Sequence, residues 1–179
     1  PGFESGTVGF TSQLSNICNC LVGSYCVTTS AQLKCASHLN IPSTSLPTGN
    51  NYLVVDGHGS VARRIWQENI TVLNTQNYKF SFWVHPTVSG NTYPKPDLEV
   101  RVNSNVILAL PGVSLANGWT KYSANVSGIS GTSLEIHQTN AGSLGYDYGI
   151  DDISFKRCVK SMIVILNPID VICHGTATG

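Results

Sequence analysis

The fold of this chain is decided by the sequence YKFSFWVH, residues 78–85. Its large apolar side chains occupy every second position, and Pro86 ends the run. Alternation of this kind places successive side chains on opposite faces of a β-strand, one apolar and one mostly polar. The stretch therefore predicts a strand of an antiparallel sheet, with one face against a hydrophobic core and the other turned outward.

Six further stretches on either side of residues 78–85 have a strand-like character. Clusters of Gly, Asn, Ser and Pro separate them, at roughly the 8–12-residue spacing that is typical of a sandwich. No window of useful length has the apolar period of a helix. The sequence therefore predicts an all-β protein, built as an antiparallel β-sandwich. The predicted strands are 52–55, 64–70, 78–85, 98–103, 119–126, 134–137 and 148–155.

The composition of the chain excludes several functions. Its 179 residues include 10 Lys+Arg and 10 Asp+Glu, so the formal net charge is zero, which argues against a nucleic-acid partner. No apolar run is longer than the five residues from Met162 to Leu166, far fewer than the ~20 residues of a membrane-spanning helix. Gly-x-Ser-x-Gly, His-Glu-x-x-His and phosphate-loop motifs are absent, so we expect a protein that is not an enzyme.

Six cysteines in a neutral chain rich in Asn, Ser and Thr predict an oxidising setting, extracellular or at the cell surface. Four of them, with His38, could instead bind zinc, but their spacing lacks the paired Cys-x-x-Cys of structural zinc sites. We therefore favour disulfides and leave the pairing open. A bond between Cys158 and Cys173 would hold the C-terminal segment against the body. The six are Cys18, Cys20, Cys26, Cys35, Cys158 and Cys173.

The predicted strands divide the chain into a body and an extension. Residues 1–158 form the body, in which the Cys-rich residues 11–50 are expected to be a long, disulfide-stapled loop between the first and second strands. Residues 159–179 form a C-terminal extension whose continuous apolar run, 161–166, is typical of a strand covered on both faces. This strand would begin a following domain or pair with a neighbouring molecule. Because the chain starts without Met, we expect a mature or excised segment of a longer protein.

The outward side chains of three predicted strands are candidates for sugar recognition. If strands 78–85, 98–103 and 134–137 share a sheet, these side chains make one outer surface that includes an exposed tryptophan. An indole ring stacks on the apolar face of a pyranose, while charged and amide groups bond its hydroxyls. The alternative is an ordinary solvated face with the tryptophan under a loop. The candidate residues are Trp83, His85, Glu99, Arg101, Asn103, Glu135 and His137.

The scarce acids Glu4, Asp151 and Asp152 are candidates for a metal site. The first and last strands of a sandwich commonly lie side by side, so Glu4 could meet one of the two aspartates. Carboxylates with backbone carbonyls make a hard oxygen site that suits Ca²⁺. Adjacent strand residues point to opposite faces, so we do not expect the two aspartates to flank one glycosidic bond. The alternative is that these acids only cap turns.

Eight pieces of the sequence occur together in one known family. They are GFESG (2–6), GFTS (9–12), YCVTT (25–29), CASH (35–38), NYLVVDG (51–57), WQE (66–68), FSFWV (80–84) and GIDDISF (149–155). Together they resemble the galactose-binding-like jelly-roll modules, which are akin to calcium-containing carbohydrate-binding modules. Such modules recur in large secreted and cell-surface proteins of Bacteroidota-type bacteria, including gliding-motility adhesins.

The resemblance covers residues 1–155 and implies a jelly-roll module of a surface adhesin that binds a glycan or cell-surface polysaccharide. It also implies a structural Ca²⁺ held by Glu4 and by Asp151 or Asp152. One departure is Ser37, where relatives often have Asp. Residues 168–177 look like the opening of the short Ig-like repeats that follow such modules. The alternative function is a filament subunit, in which residues 159–179 join neighbouring domains or identical subunits by strand addition.

Overall fold

The computed structural model of the chain describes residues 2–39, 41, 47–57, 62–88, 95–113, 118–140 and 146–159. Within these residues the chain forms ten strands and one short helix. The elements are β1 Ser15–Asn16, β2 Ser24–Thr28, α1 Ala31–Lys34, β3 Tyr52–Asp56, β4 Arg63–Val72, β5 Asn77–Pro86, β6 Leu98–Val102, β7 Asn105–Leu110, β8 Thr120–Val126, β9 Gly131–Gln138 and β10 Asp147–Cys158.

The strands form two sheets, so the predicted β-sandwich is confirmed. One sheet has six strands in the order β1-β2-β3-β10-β5-β8, and the other has four in the order β4-β9-β6-β7. Among the described strands every pair is antiparallel except β1 with β2. Thr11 extends the four-stranded sheet beyond β4 through a bridge to Gln67. The last strand, β10, lies in the middle of the larger sheet, between β3 and β5.

The hydrophobic core lies between the two sheets and is made by the apolar faces that the alternation predicts. Phe80 and Phe82 of β5, Val100 of β6, Ile136 of β9 and Ile150 of β10 are completely buried in one cluster. Burying a side chain of this size contributes about 1.5–3 kcal/mol to stability. The outward side chains of β5, β6 and β9 are therefore held on the two outer faces of the sandwich.

A second, smaller cluster covers part of the outer face of the six-stranded sheet. We call residues 29–39 the flap, and they include the short helix α1. Ser30 caps the start of α1, because its side chain accepts a hydrogen bond from the Gln32 backbone N–H. Ala31 of the flap packs with the outward residues Tyr52 and Val54 of β3. The Ala31 backbone N–H donates to the Tyr52 hydroxyl at 2.6 Å, which fastens the flap to the sheet.

The Cys-rich residues 11–50 are stapled, as expected, but they are not only loop. β2 is a full member of the six-stranded sheet, and α1 follows it. Two disulfides, Cys18–Cys26 and Cys20–Cys35, confirm disulfide bonding for these four cysteines. Cys158 is also disulfide-bonded, while Cys173, the partner predicted for it, lies outside the described residues.

The predicted C-terminal extension, residues 159–179, lies outside the described residues except for Val159. The strand expected at 161–166 and its role as a linker or connector therefore stay predictions. In the part of the chain that the structure describes, none of the helices is long and apolar enough to span a membrane.

Candidate functional site

The structure divides the predicted sugar-binding surface between the two sheets. β5, which carries Trp83 and His85, belongs to the six-stranded sheet, whereas β6 and β9 belong to the four-stranded sheet. The prediction of one shared surface is therefore wrong. Its physical reason is that alternation fixes the face of each side chain along a strand but does not fix the sheet that the strand joins.

On the six-stranded sheet, Trp83 is half-buried and lies opposite Asp151 of β10 and Lys121 of β8. The Lys121 ammonium is 5.6 Å from the centre of the indole ring, a cation–π contact. His85 is turned to the Trp119 ring at 5.2 Å, and its Nδ1 donates to the Pro86 carbonyl oxygen at 2.5 Å. Burial lowers the pKa of His85. Its contacts with Trp119 and with the Pro86 carbonyl engage this side chain in packing.

On the four-stranded sheet, four of the predicted residues come together. The register places Glu99 opposite His137 and Arg101 opposite Glu135, so acidic and basic groups alternate across β6 and β9. Arg101 Nε donates to Glu99 Oε2 at 2.9 Å, and its Nη2 donates to the same oxygen at 2.5 Å. His137 Nε2 lies 2.7 Å from Glu135 Oε2. All four side chains are half-buried, and their pairing holds them in defined positions.

β4 adds two side chains that the sequence analysis missed. Arg64 lies opposite His137, and Gln67 lies opposite Glu135. A bulge between Arg64 and Trp66 breaks the alternation of β4, so the sequence pattern did not show which side chains face outward. We call the combined surface the polar platform. It consists of Arg64, Gln67, Glu99, Arg101, Glu135 and His137.

The electrostatics of the polar platform favour the charged form of Glu135. Burial by itself would raise the pKa of Glu135. Hydrogen bonds from His137 and Ser133, together with the charges of His137 and Arg64, outweigh burial, and the pKa is lowered overall. The Ser133 hydroxyl donates to Glu135 Oε1 at 2.8 Å. Arg64 Nε is buried without a hydrogen-bond partner in the structure, so this guanidinium has donor capacity left. Donors and acceptors thus lie side by side at cross-strand spacings of about 5 Å, where a polyhydroxylated ring can bond several at once.

Asn103 stands apart from both surfaces. It follows β6 with a φ of +52°, in the left-handed region that Asn tolerates better than most residues. Its side-chain oxygen accepts from the backbone N–H groups of Thr132 and Ser133, both at 3.0 Å. Asn103 therefore ties the turn after β6 to β9, and this oxygen is already occupied.

The acidic candidates lie at a bulge in β10. The register shifts between Asp151 and Ser154, and Asp152 has a φ of +49°. An ideal Cβ on Gly2 would lie 3.7 Å from Asp151 Oδ1 and 3.9 Å from Asp152 Oδ1. The expectation that the two aspartates point to opposite faces is therefore wrong, because the bulge brings both carboxylates to one place beside the N-terminal segment.

Glu4 reaches the same region from a turn rather than from a first strand. Its Oε1 accepts from the backbone N–H groups of Asn50 and Asn51, both at 2.8 Å. The loop passes close to this oxygen, so a Cβ on Gly49 would displace the Glu4 side chain, and the φ of +67° at Gly49 favours glycine as well. Burial first, and then the charges of Asp152 and Glu4, raise the pKa of Asp151 to about 7.

The donor set at this bulge suits a hard cation. Asp151 is fully buried and its Oδ2 has no hydrogen-bond partner, while the Thr48 hydroxyl donates to Asp152 Oδ1 at 2.5 Å. Among the described residues, however, no three His, Cys, Asp or Glu side chains are grouped closely enough to hold a metal by themselves. A cation here would therefore need hydroxyl or backbone oxygens as well as the acids.

Comparison with solved structures gives the class of fold. The K1 cleaved adhesin domain of Lys-gingipain from Porphyromonas gingivalis W83 is 10% identical with a TM-score of 0.55, over 87% of this chain and 95% of that one. TmCBM61, solved with beta-1,4-galactotriose, is 16% identical with a TM-score of 0.54, over 88% and 94%. The CBM22-1 xylan-binding domain from Paenibacillus barcinonensis Xyn10C is 16% identical with a TM-score of 0.50, over 87% and 90%.

The chain thus has the jelly-roll fold of carbohydrate-binding modules, and the fold implied by the sequence resemblance is confirmed. No protein-family model and no curated protein matches the chain.

Proposed function

We propose that this chain is a non-catalytic, extracellular carbohydrate-binding module of a bacterial surface adhesin and that the polar platform contacts the glycan. The observation that carries the proposal is the arrangement on β6 and β9, where Glu99–Arg101 and His137–Glu135 form two paired units side by side. Structures with this fold include a xylan-binding domain and a module solved with a galactotriose, which supports a sugar as the ligand.

The polar platform suits recognition better than the surface around Trp83. Its half-buried side chains are already held by their pairing, so little side-chain freedom is lost when a sugar binds. The Trp83 ring already has Lys121 against it, and its predicted partner His85 is turned to Trp119. The site at Trp83 remains the competing assignment, and the experiment below separates the two.

The test is a titration of soluble xylan and β-1,4-galactan by affinity electrophoresis and calorimetry. Loss of a charged hydrogen bond costs about 1.5–3 kcal/mol, so we expect Arg101→Ala and Glu135→Gln to weaken binding about tenfold or more. The matched control on the other sheet, Trp83→Ala, is expected to bind like the wild type. Circular dichroism melts check that each variant is folded.

Three outcomes are distinguishable in that titration. Loss of binding in the two platform variants alone supports the proposal. Loss in Trp83→Ala alone moves the site to the other sheet. A wild-type protein that binds no glycan in a broad panel of polysaccharides contradicts the proposed function itself.

We also propose a structural Ca²⁺ at the β10 bulge, held by Asp151, by a second acid, Glu4 or Asp152, and by the Thr48 hydroxyl and backbone oxygens. The support is the unpartnered Oδ2 of the buried Asp151 and the mutual repulsion of carboxylates that a divalent cation would neutralise. A cation there would tie the N-terminal turn and the 47–51 loop to β10.

Melting in CaCl₂ and in EGTA tests the calcium proposal. A ligand that binds only the folded state at a hundredfold excess over Kd adds about 2.7 kcal/mol, so we expect a higher Tm in calcium. Asp151→Asn should abolish the difference, while the control Asp97→Asn, far from the bulge in sequence and bonded to the Gly112 N–H, should keep it. A wild-type Tm that is the same in both solutions would contradict the proposal.

A further inference from the structure

A lysine with almost no exposed surface lies beneath the flap. Lys34 ends α1 and is 1% exposed. Its Nζ donates to Ser24 Oγ at 2.5 Å and to the Asn19 carbonyl oxygen, and it lies 4.0 Å from Asp56 Oδ2. Lysine is almost never fully buried unless it is paired, so the contact with Asp56 is the reason that it is tolerated here.

Asp56 has a second acid beside it. Asp147 lies directly opposite Asp56 in the register of β3 and β10. Burial and the charge of Asp147 raise the pKa of Asp56 to about 6, against the opposing charges of Lys34 and His38. Two neighbouring carboxylates repel each other, and this favours a proton on Asp56.

The cluster is closed by a histidine of the flap. His38 is 4% exposed, and its Nε2 lies 3.6 Å from Asp147 Oδ2. Three buried atoms around the cluster have no hydrogen-bond partner, namely His38 Nδ1, Asp147 Oδ1 and Thr87 Oγ1. A buried ionic site with unpaired polar atoms is costly, so a reaction that removes its charges would be favoured.

The ionisation of the cluster favours a reaction between its amine and its acid. Burial lowers the pKa of Lys34, although Asp56 and Asp147 oppose this. A desolvated lysine gives up its proton more readily, and the neutral amine is the nucleophile. The raised pKa of Asp56 favours the protonated acid, which an amine attacks more readily than a carboxylate. The two groups are therefore shifted towards their reactive forms in the same water-excluded place.

We propose that Lys34 and Asp56 condense to form an intramolecular isopeptide bond, with Asp147 as the acid–base catalyst. The Nζ lone pair attacks Cγ of Asp56, the new N–C bond forms, and Asp147 takes the proton released from nitrogen. Asp147 then returns a proton to the departing hydroxyl, the C–O bond breaks and water leaves. Amine and carboxylic acid give amide and water, so no oxidant, reductant or co-reactant is needed.

The geometry of the reactants is close to what this step requires. Reacting atoms must approach to about 3–3.5 Å, and holding them in place raises the effective concentration by orders of magnitude. Nζ is 4.0 Å from Oδ2 of the target carboxyl, so the amine must move closer to Cγ before it attacks. His38 acts as a positioning residue, because it contacts Asp147 and not the reacting atoms. The bond would join the flap permanently to β3.

Intact mass spectrometry of the reduced, denatured wild-type chain tests the proposal. We expect a mass about 18 Da below the sequence mass, one water lost in forming the amide. Lys34→Arg should restore the full mass, because arginine keeps the cation beside Asp56 but stays protonated and is not a nucleophile. Asp147→Asn should also leave the full mass, since the carboxyl that relays the proton is gone.

One competing reaction loses the same mass and needs its own control. Asp56 precedes Gly57, and an Asp-Gly sequence can close to a succinimide. That product would persist in Lys34→Arg and would be cleaved by hydroxylamine, whereas an isopeptide bond gives a cross-linked peptide pair containing Lys34 and Asp56. Full sequence mass in the wild type, or a water loss that survives in Lys34→Arg, overturns the proposal. Water loss in Asp147→Asn overturns the catalytic role of Asp147.

Discussion

At the scale of single residues, the backbone conformation of Asp152 determines where the two carboxylates of β10 lie. Its φ of +49° is left-handed, a conformation that costs most residues roughly 1–2 kcal/mol but that Asp adopts more readily. The bulge that it makes lets Asp151 and Asp152 approach the same neighbours. The acidic site thus depends on the backbone of one residue as much as on the identity of its side chain.

His85 gives a prediction about pH. Burial holds its pKa below the usual value near 6.5, although its hydrogen bond to the Pro86 carbonyl opposes this. As the pH falls, the unfolded chain therefore takes up a proton on this residue before the folded protein does. The stability that a neutral His85 contributes is complete above about pH 6.5 and is lost as the pH falls towards the folded pKa.

Two measurements check the prediction for His85. The ring proton signals of His85 in NMR spectra should titrate with a midpoint below 6.5. In urea unfolding at pH 7.5 and 5.5, His85→Phe should lose less stability on acidification than the wild type, because it keeps an aromatic ring against Trp119 without a titrating group. Equal losses in both proteins would show that His85 is not responsible.

The sequence predicts which face of a strand a side chain occupies better than it predicts which residues that side chain contacts. Alternation identified the outward residues of β5, β6 and β9, since strand geometry alone determines them. It did not identify Arg64 and Gln67, because the bulge in β4 shifts the pattern by one residue. Nor could any local pattern bring Lys34 to Asp56, since the two are 22 positions apart in the sequence and meet only through the packing of the flap on β3.

At the scale of elements, the sequence predicts the ends of strands that stop at a clear turn signal to within a few residues. The predicted 78–85 is β5, Asn77–Pro86, and the predicted 98–103 is β6, Leu98–Val102. β7, Asn105–Leu110, was missed because its apolar residues run without alternation; it is an edge strand with partly exposed side chains on both faces. The sequence does not predict β2, because the cysteines around it favour a disulfide-stapled loop.

The assignment of strands to sheets was beyond the sequence. β6 and β9 are neighbours, while β5 pairs with β8 and β10, and all of these strands are antiparallel with similar apolar faces. Local patterns are alike in both sheets, and only the long-range pairing distinguishes them. For this reason the sequence predicts individual candidate residues but not the surfaces on which they lie.

At the scale of the whole molecule, the proposed function predicts the state of association. A binding module does not need to polymerise, so we expect light scattering of the full, non-reduced chain to give one species near the chain mass of 19.2 kDa. The mass should not depend on concentration over the micromolar range. Assemblies that grow with concentration would instead favour the filament alternative, with residues 159–179 as the connector.

The central position of β10 has a consequence for biosynthesis. β3 and β5 are made early, but β10, which joins them, is the last of the described strands to be synthesised, at about 5–20 residues per second. Until then the larger sheet exists only as separate pieces whose apolar faces are uncovered. We expect a nascent chain in this state to need protection from aggregation until β10 is added.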